Sequence, residues 1–218
     1  MHTKHTKRIL LAAASAALLL IAGCASLPSP SELDAQAAAM LQAGFREQGI
    51  AKLDRLDQDL GQKACSSDQP PSDAVAKQVE AEAMASIQWP TGGQYIGDWR
   101  EGEKLAQNGR GMTWTDTSTA PSANGAQCYN CHQISKQEIS FGTIGPSLYH
   151  YGKLRGVTDV ADSASAAIVQ YTWGKLWNSK AYAACSNMPR FGHARLLDEA
   201  QLRHLMALLL DPQSPVNQ

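Results

Sequence analysis

The sequence lacks several signals that would place it quickly. It has no basic patch and no interleaved aromatic stripe, which excludes the usual nucleic-acid surfaces. Its apolar N-terminal run, Ile9 to Ala22, is 14 residues long, short of the ~20 that a comfortable membrane span needs. No strand-like alternation or hairpin signal competes with the helical periodicities. There is one C-x-x-C pair and no second one, so a zinc ribbon or finger has no complete ligand set. A βαβ context, which a thioredoxin-like dithiol expects, is also missing.

What is present begins with an export signal. Lys4, Lys7 and Arg8 form a basic head before the apolar run, the arrangement of a cleaved leader. The run ends in Ile21-Ala22-Gly23-Cys24, small residues leading directly into a cysteine, as in the lipobox of bacterial lipoproteins. Lipidation of Cys24 is one reading; ordinary cleavage near Ala25 or Ser26 is the other. Both put the protein in the periplasm, anchored to the membrane only by lipid if at all. Removal of residues 1–23 leaves 16 basic against 20 acidic side chains, a net charge of −4. That charge suits solubility and points to no partner.

Residues 25–30 read as a tether. Ser31 to Gly61 is helix-compatible, with apolar residues from Leu33 to Leu56 every three or four positions; Gly44 and Gly49 leave one helix or two equally open. Asp54, Arg55, Asp57 and Asp59 read as a solvated face. A further helix is expected over Ser72 to Ile87, capped by Ser72. The texture changes at Trp89. From there a helix is expected over Asp98 to Asn108, with Trp99 and Leu105 inward and Gly109 as a left-handed terminator. Thr113 to Gln127 reads as a loop. Two more helices follow, over 162–178 and over Asp198 to Leu210; the last has one buried stripe of Leu202, Leu205, Met206 and Leu209. The expected organisation is all-α: signal 1–23, tether and helical extension 24–88, main domain 89–218.

Cys128-Tyr129-Asn130-Cys131-His132 carries the chemistry. Covalent haem attachment needs two thiols spaced to add across two vinyl groups, and the following histidine then projects toward the iron. One haem c on Cys128 and Cys131, ligated by His132, is the reading. The sixth ligand decides whether the iron is open. Met206 reads as core filler, His204 as solvated and His150 as a hydrogen-bonded loop residue. Met188, stiffened by Pro189, is the choice, with His193 as the imidazole rival. Ile144-Gly145-Pro146 lies a dozen residues past the motif. It reads as a loop whose Ile144 or Gly145 carbonyl turns toward the other nitrogen of His132, or as a plain Gly-Pro turn. With haem on two of the five cysteines and lipid on Cys24, Cys65 and Cys185 remain. A disulfide between them is the simplest reading in an oxidising compartment, and two separate thiols the other.

Beyond the haem motif, Gly142-Thr143-Ile144-Gly145-Pro146-Ser147-Leu148, Tyr151-Gly152 and Met188-Pro189-Arg190-Phe191-Gly192 resemble the SoxX family, the monohaem subunits of the SoxAX cytochromes of bacterial thiosulfate oxidation. The resemblance covers about residues 92–212, and the extension from about 34 to 65 resembles that of longer SoxX proteins. It implies a class I-like cytochrome c domain with His132 and Met188 on the iron. It also implies a SoxA-like partner, with or without a further small subunit, a SoxYZ carrier, and a cytochrome c acceptor. The chain would be the electron-transfer subunit of an L-cysteine S-thiosulfotransferase complex, with no catalytic residue of its own. Departing from the shorter forms are the extension and the Cys65/Cys185 pair, read as a bridge that ties the extension beside the Met188 loop. A freestanding periplasmic carrier and a lone haem peroxidase are the competing functions.

Overall fold

A computed structural model describes residues 27–218; the signal and the lipidation candidate Cys24 lie outside them. Among the described residues the fold is helical. No strand forms, only an isolated bridge between Gln48 and Ala51. No helix among them is long and apolar enough to cross a membrane.

The chain divides after Phe45 into two compact units. In the first, α1 (Pro30–Gly44) starts on a capping box in which the Ser29 side chain accepts from the Glu32 amide and Glu32 returns to the Ser29 amide. It buries no residue. The helical periodicity ends at Gly44, and the long single helix does not form.

The second unit, residues 46–218, contains everything else. After a 3₁₀ turn at Leu53–Leu56 comes the short helix α2 (Leu60–Cys65), then α3 (Asp73–Ala85) with Ser72 as its cap. Next come α4 (Trp99–Gln107), α5 (Ala166–Trp177) and α6 (Glu199–Leu210). Asp98 caps α4, Asp162 caps the 3₁₀ turn leading into α5, and Asp198 forms a capping box with Gln201 at α6. These acceptors satisfy amides that a helix start leaves bare.

The core is built on the crossing of α4 and α6. Gly102 and Ala106 are the buried residues of α4. A Cβ at Gly102 would overlap the His204 carbonyl of α6, so this glycine sets how closely the two backbones approach. Leu105 is only partly buried against the core. Helix α6 buries Ala207, Leu208 and Leu210 as well as the expected stripe, because α4, α5 and the C-terminal turn Pro215–Asn217 all pack on it. On α5, Trp173 is fully buried and donates from Nε1 to the Gln88 carbonyl at 2.8 Å. Trp177 donates likewise to the Ser86 carbonyl at 3.0 Å. These two indoles satisfy carbonyls just past α3 and fix the end of that helix to α5.

Two local expectations are corrected. Gly109 is not in the left-handed region; α4 stops because Asn108 turns extended. His204 is half-buried rather than solvated, and its Nδ1 accepts from the Asp98 amide at 2.9 Å.

Candidate haem-attachment site

Gln127 enters the motif in the left-handed conformation, φ 49°. Cys128–Asn130 then form one 3₁₀ turn, closed by Cys131 N–H to Cys128 O at 3.1 Å and His132 N–H to Cys128 O at 2.9 Å. This turn draws the backbones of Cys128, Cys131 and His132 together. Both cysteines are free thiols, although the same chain holds a disulfide elsewhere. Burial pushes the Cys128 thiol up to about 12. Among the described residues no three His, Cys, Asp or Glu side chains gather as a metal site.

The segment 142–148 lies against the turn through three backbone bonds. Gly142 donates to Tyr129 O, Gly145 to Cys131 O and Leu148 to Gln133 O, at 2.9, 2.8 and 2.7 Å. A Cβ at Gly142 would overlap the Asn130 carbonyl, and one at Gly145 would overlap the His132 ring. The glycines are there to let the backbone pass. His132 Nδ1 then sits 2.7 Å from the carbonyl oxygen of Pro146. A carbonyl can only accept, so Nδ1 carries the proton and Nε2 keeps its lone pair. That is the tautomer a metal-binding histidine requires, oriented from behind by a backbone acceptor. The acceptor is the carbonyl of Pro146 itself, not Ile144 or Gly145 as the sequence suggests.

Behind the turn, Tyr129 is buried and donates from its hydroxyl to Glu103 Oε1 of α4 at 3.0 Å. Burial foremost raises this phenol to about 12, with the Glu103 carboxylate adding to the shift. Tyr129 therefore stays neutral and pins the motif to α4. Ile139 and Ile144, on either side of Gly142, are 97% and 79% exposed. The free thiols, the tautomer and the glycine cradle fit a covalent haem.

Met188 is half-buried against the same hydrophobic core that Cys128 touches. Its backbone is held by Ser179 Oγ donating to Met188 O at 2.7 Å. Of its rivals, Met206 is core filler at 0% exposure. His150 stacks on Tyr149, with its Nε2 2.5 Å from the Gln218 carbonyl. His193 lies at the surface beside Arg190 and Asp59; desolvation by its neighbours, and then Arg190, hold its imidazole below the usual value.

Cys65 and Cys185 form a disulfide, with Cα atoms 5.4 Å apart, joining α2 to the loop before Met188. Sequence reading missed Asp59. It is exposed, as a solvated face requires, but it also caps α2 and pairs with Arg190 at 2.5 Å. Partial burial opposes its ionisation, but the Gln62 amide, the Arg190 guanidinium and Lys180 outweigh that and hold the carboxyl below its usual range. The signal available was the capping-box pattern Asp59…Gln62.

Fold and site together define a helical protein with a single Cys-x-x-Cys-His turn backed by a histidine-orienting loop. No protein-family model matches the chain. A protein of Aquifex aeolicus (strain VF5) described as an uncharacterized lipoprotein is 34% identical over 162 residues, which span 73% of each sequence. The chain belongs to the same family as that lipoprotein.

Proposed function

We propose that the chain is an exported electron-transfer protein with one haem c, in which Cys128 and Cys131 hold the group and His132 and Met188 ligate its iron. The observation that supports this most is His132 Nδ1 on the Pro146 carbonyl, since it fixes the tautomer and leaves the outer nitrogen to a metal. When bound, the haem supplies one-electron redox chemistry. The chain's own residues hold and orient: Tyr129 and Glu103 fix the turn from behind, and Gly142 and Gly145 let the 142–148 segment close on it.

The finer reading places the domain in the class I cytochrome c fold, as a SoxX-like subunit that passes on electrons released when thiosulfate is joined to a carrier cysteine. It rests on the flanking segments 142–148 and 188–192. The relative's description as a lipoprotein supports Cys24 as a lipidated N-terminus. Co-expression with a SoxA-like cytochrome tests the pairing. A stable complex in which this chain's haem is reduced during thiosulfate turnover is the result expected; a chain that stays monomeric and is reduced only by unrelated donors is a freestanding carrier.

A further inference from the structure

The Met188 loop is tied from both sides to one short element of the extension. Three residues before Met188, Cys185 is bonded to Cys65, the last residue of α2. Two residues after it, Arg190 Nη1 meets Asp59 Oδ2 at 2.5 Å, at the N-cap of the same helix. Helix α3 adds a third tie, Glu80 Oε1 accepting from the Ala184 amide at 3.1 Å. Inside the loop, Lys180 Nζ donates to the Ala184 carbonyl at 2.9 Å.

Helix α2 has six residues, too few to be stable on propensity alone. Its placement comes from the capping box and from Gly61, where a Cβ would sit 3.1 Å from Val79 of α3 and 3.2 Å from the Lys180 stem. Its main packing is on α3, whereas the α4–α6 crossing is built on Gly102, Ala106 and His204. Loss of its ties should therefore loosen the loop and leave the core standing.

We propose that α2 is a positioning bracket for the Met188 thioether, with Asp59–Arg190 and Cys65–Cys185 as its two clasps. The proposal rests on Met188 as the sixth ligand. A thioether is a neutral ligand on a flexible stem, so its occupancy of the iron depends on how firmly its backbone is held. Asp59, Cys65, Cys185 and Arg190 are positioning residues; none of them touches the reacting group. The extension thereby governs how closed the iron site is.

The test uses the full mature chain with haem attached, compared with Asp59→Asn, the double variant Cys65→Ser/Cys185→Ser, and Met188→Ala. Asn still caps a helix, so Asp59→Asn removes the charge and keeps the fold. Three quantities are read: the methionine-to-iron charge-transfer band of the ferric protein, the rate of cyanide binding, and amide exchange across 183–192 and α6. The bracket predicts a weakened band and cyanide binding faster by about threefold in Asp59→Asn and about tenfold in the double variant. Exchange should rise in 183–192 and stay unchanged in α6. Wild-type band and cyanide rate in both clasp variants, with the band lost in Met188→Ala, overturn the bracket and leave the ligand assignment intact. A wild-type spectrum in Met188→Ala overturns the ligand assignment and the bracket with it.

Discussion

His132 Nδ1 and the Pro146 carbonyl oxygen lie 2.7 Å apart, and the residue between their segments that permits this is Gly145. The pair settles which imidazole nitrogen is available, because the proton on Nδ1 is spoken for. Gly145→Ala would put a methyl group into the His132 ring. The expected outcome is a displaced imidazole, a lower yield of haem-loaded protein and an altered optical spectrum, read by pyridine haemochrome assay and absorption. A spectrum and yield equal to wild type would contradict the cradle.

The Cys65–Cys185 bond closes a loop with a sequence separation of 120. Such a crosslink restricts the unfolded chain and typically contributes about 2–4 kcal/mol. Cys65→Ser/Cys185→Ser should lower stability by that order, measured by urea unfolding of the exported protein without reductant. Adding reductant should shift wild type to the variant's midpoint and leave the variant where it is.

At the α4–α6 crossing, Gly102 meets the His204 carbonyl. Gly102→Ala must push the helices apart or shift α6, an overpacking cost of about 1–3 kcal/mol. Thermal unfolding of the apo chain reads it independently of haem. A substitution at Gly92, where a Cβ would meet nothing within 4 Å but φ is +65°, should cost less and only through backbone strain.

Glu199 opens α6 and accepts from the Thr91 amide and hydroxyl, each at 3.0 Å, and from Arg203. Desolvation works against its ionisation, but the Thr91 hydrogen bonds and Arg203 outweigh it and keep the carboxyl below its ordinary 4.5. A group held lower in the folded state binds fewer protons there than in the unfolded chain. Its contribution is complete above 4.5 and is lost as pH falls through the lower folded value. Asp59, held below 3.8, adds a loss of the same sign further down. Urea midpoints between about pH 6 and about pH 3 should fall with acid, and Glu199→Gln should flatten the upper part of that fall.

Helix starts were legible in the sequence because their cause is local. Ser72, Asp98, Asp162 and Asp198 each cap an amide two or three residues away. The 3₁₀ turn at Cys128–Asn130 was legible as a turn because the Cys-x-x-Cys-His spacing is local. What escaped depends on distant pairs. Asp59 acquires its partner 131 positions away, and His204 becomes an acceptor only because α4 starts beside it. The Pro146 carbonyl was missed by one residue, since which oxygen points inward depends on the backbone path between Gly142 and Leu148. The Cys65–Cys185 tie was legible from the cysteine count, but the Asp59–Arg190 tie was not, because it joins two stretches that have no common pattern.

The most direct measurement is the mass and absorption spectrum of the chain exported from cells that carry a cytochrome c maturation system. The account predicts a protein heavier by one haem that stays attached on denaturation, with the low-spin spectrum of a histidine–methionine site. Denatured protein free of haem, with Cys128 and Cys131 recovered as two unmodified thiols from cells that mature a control cytochrome c, would contradict it.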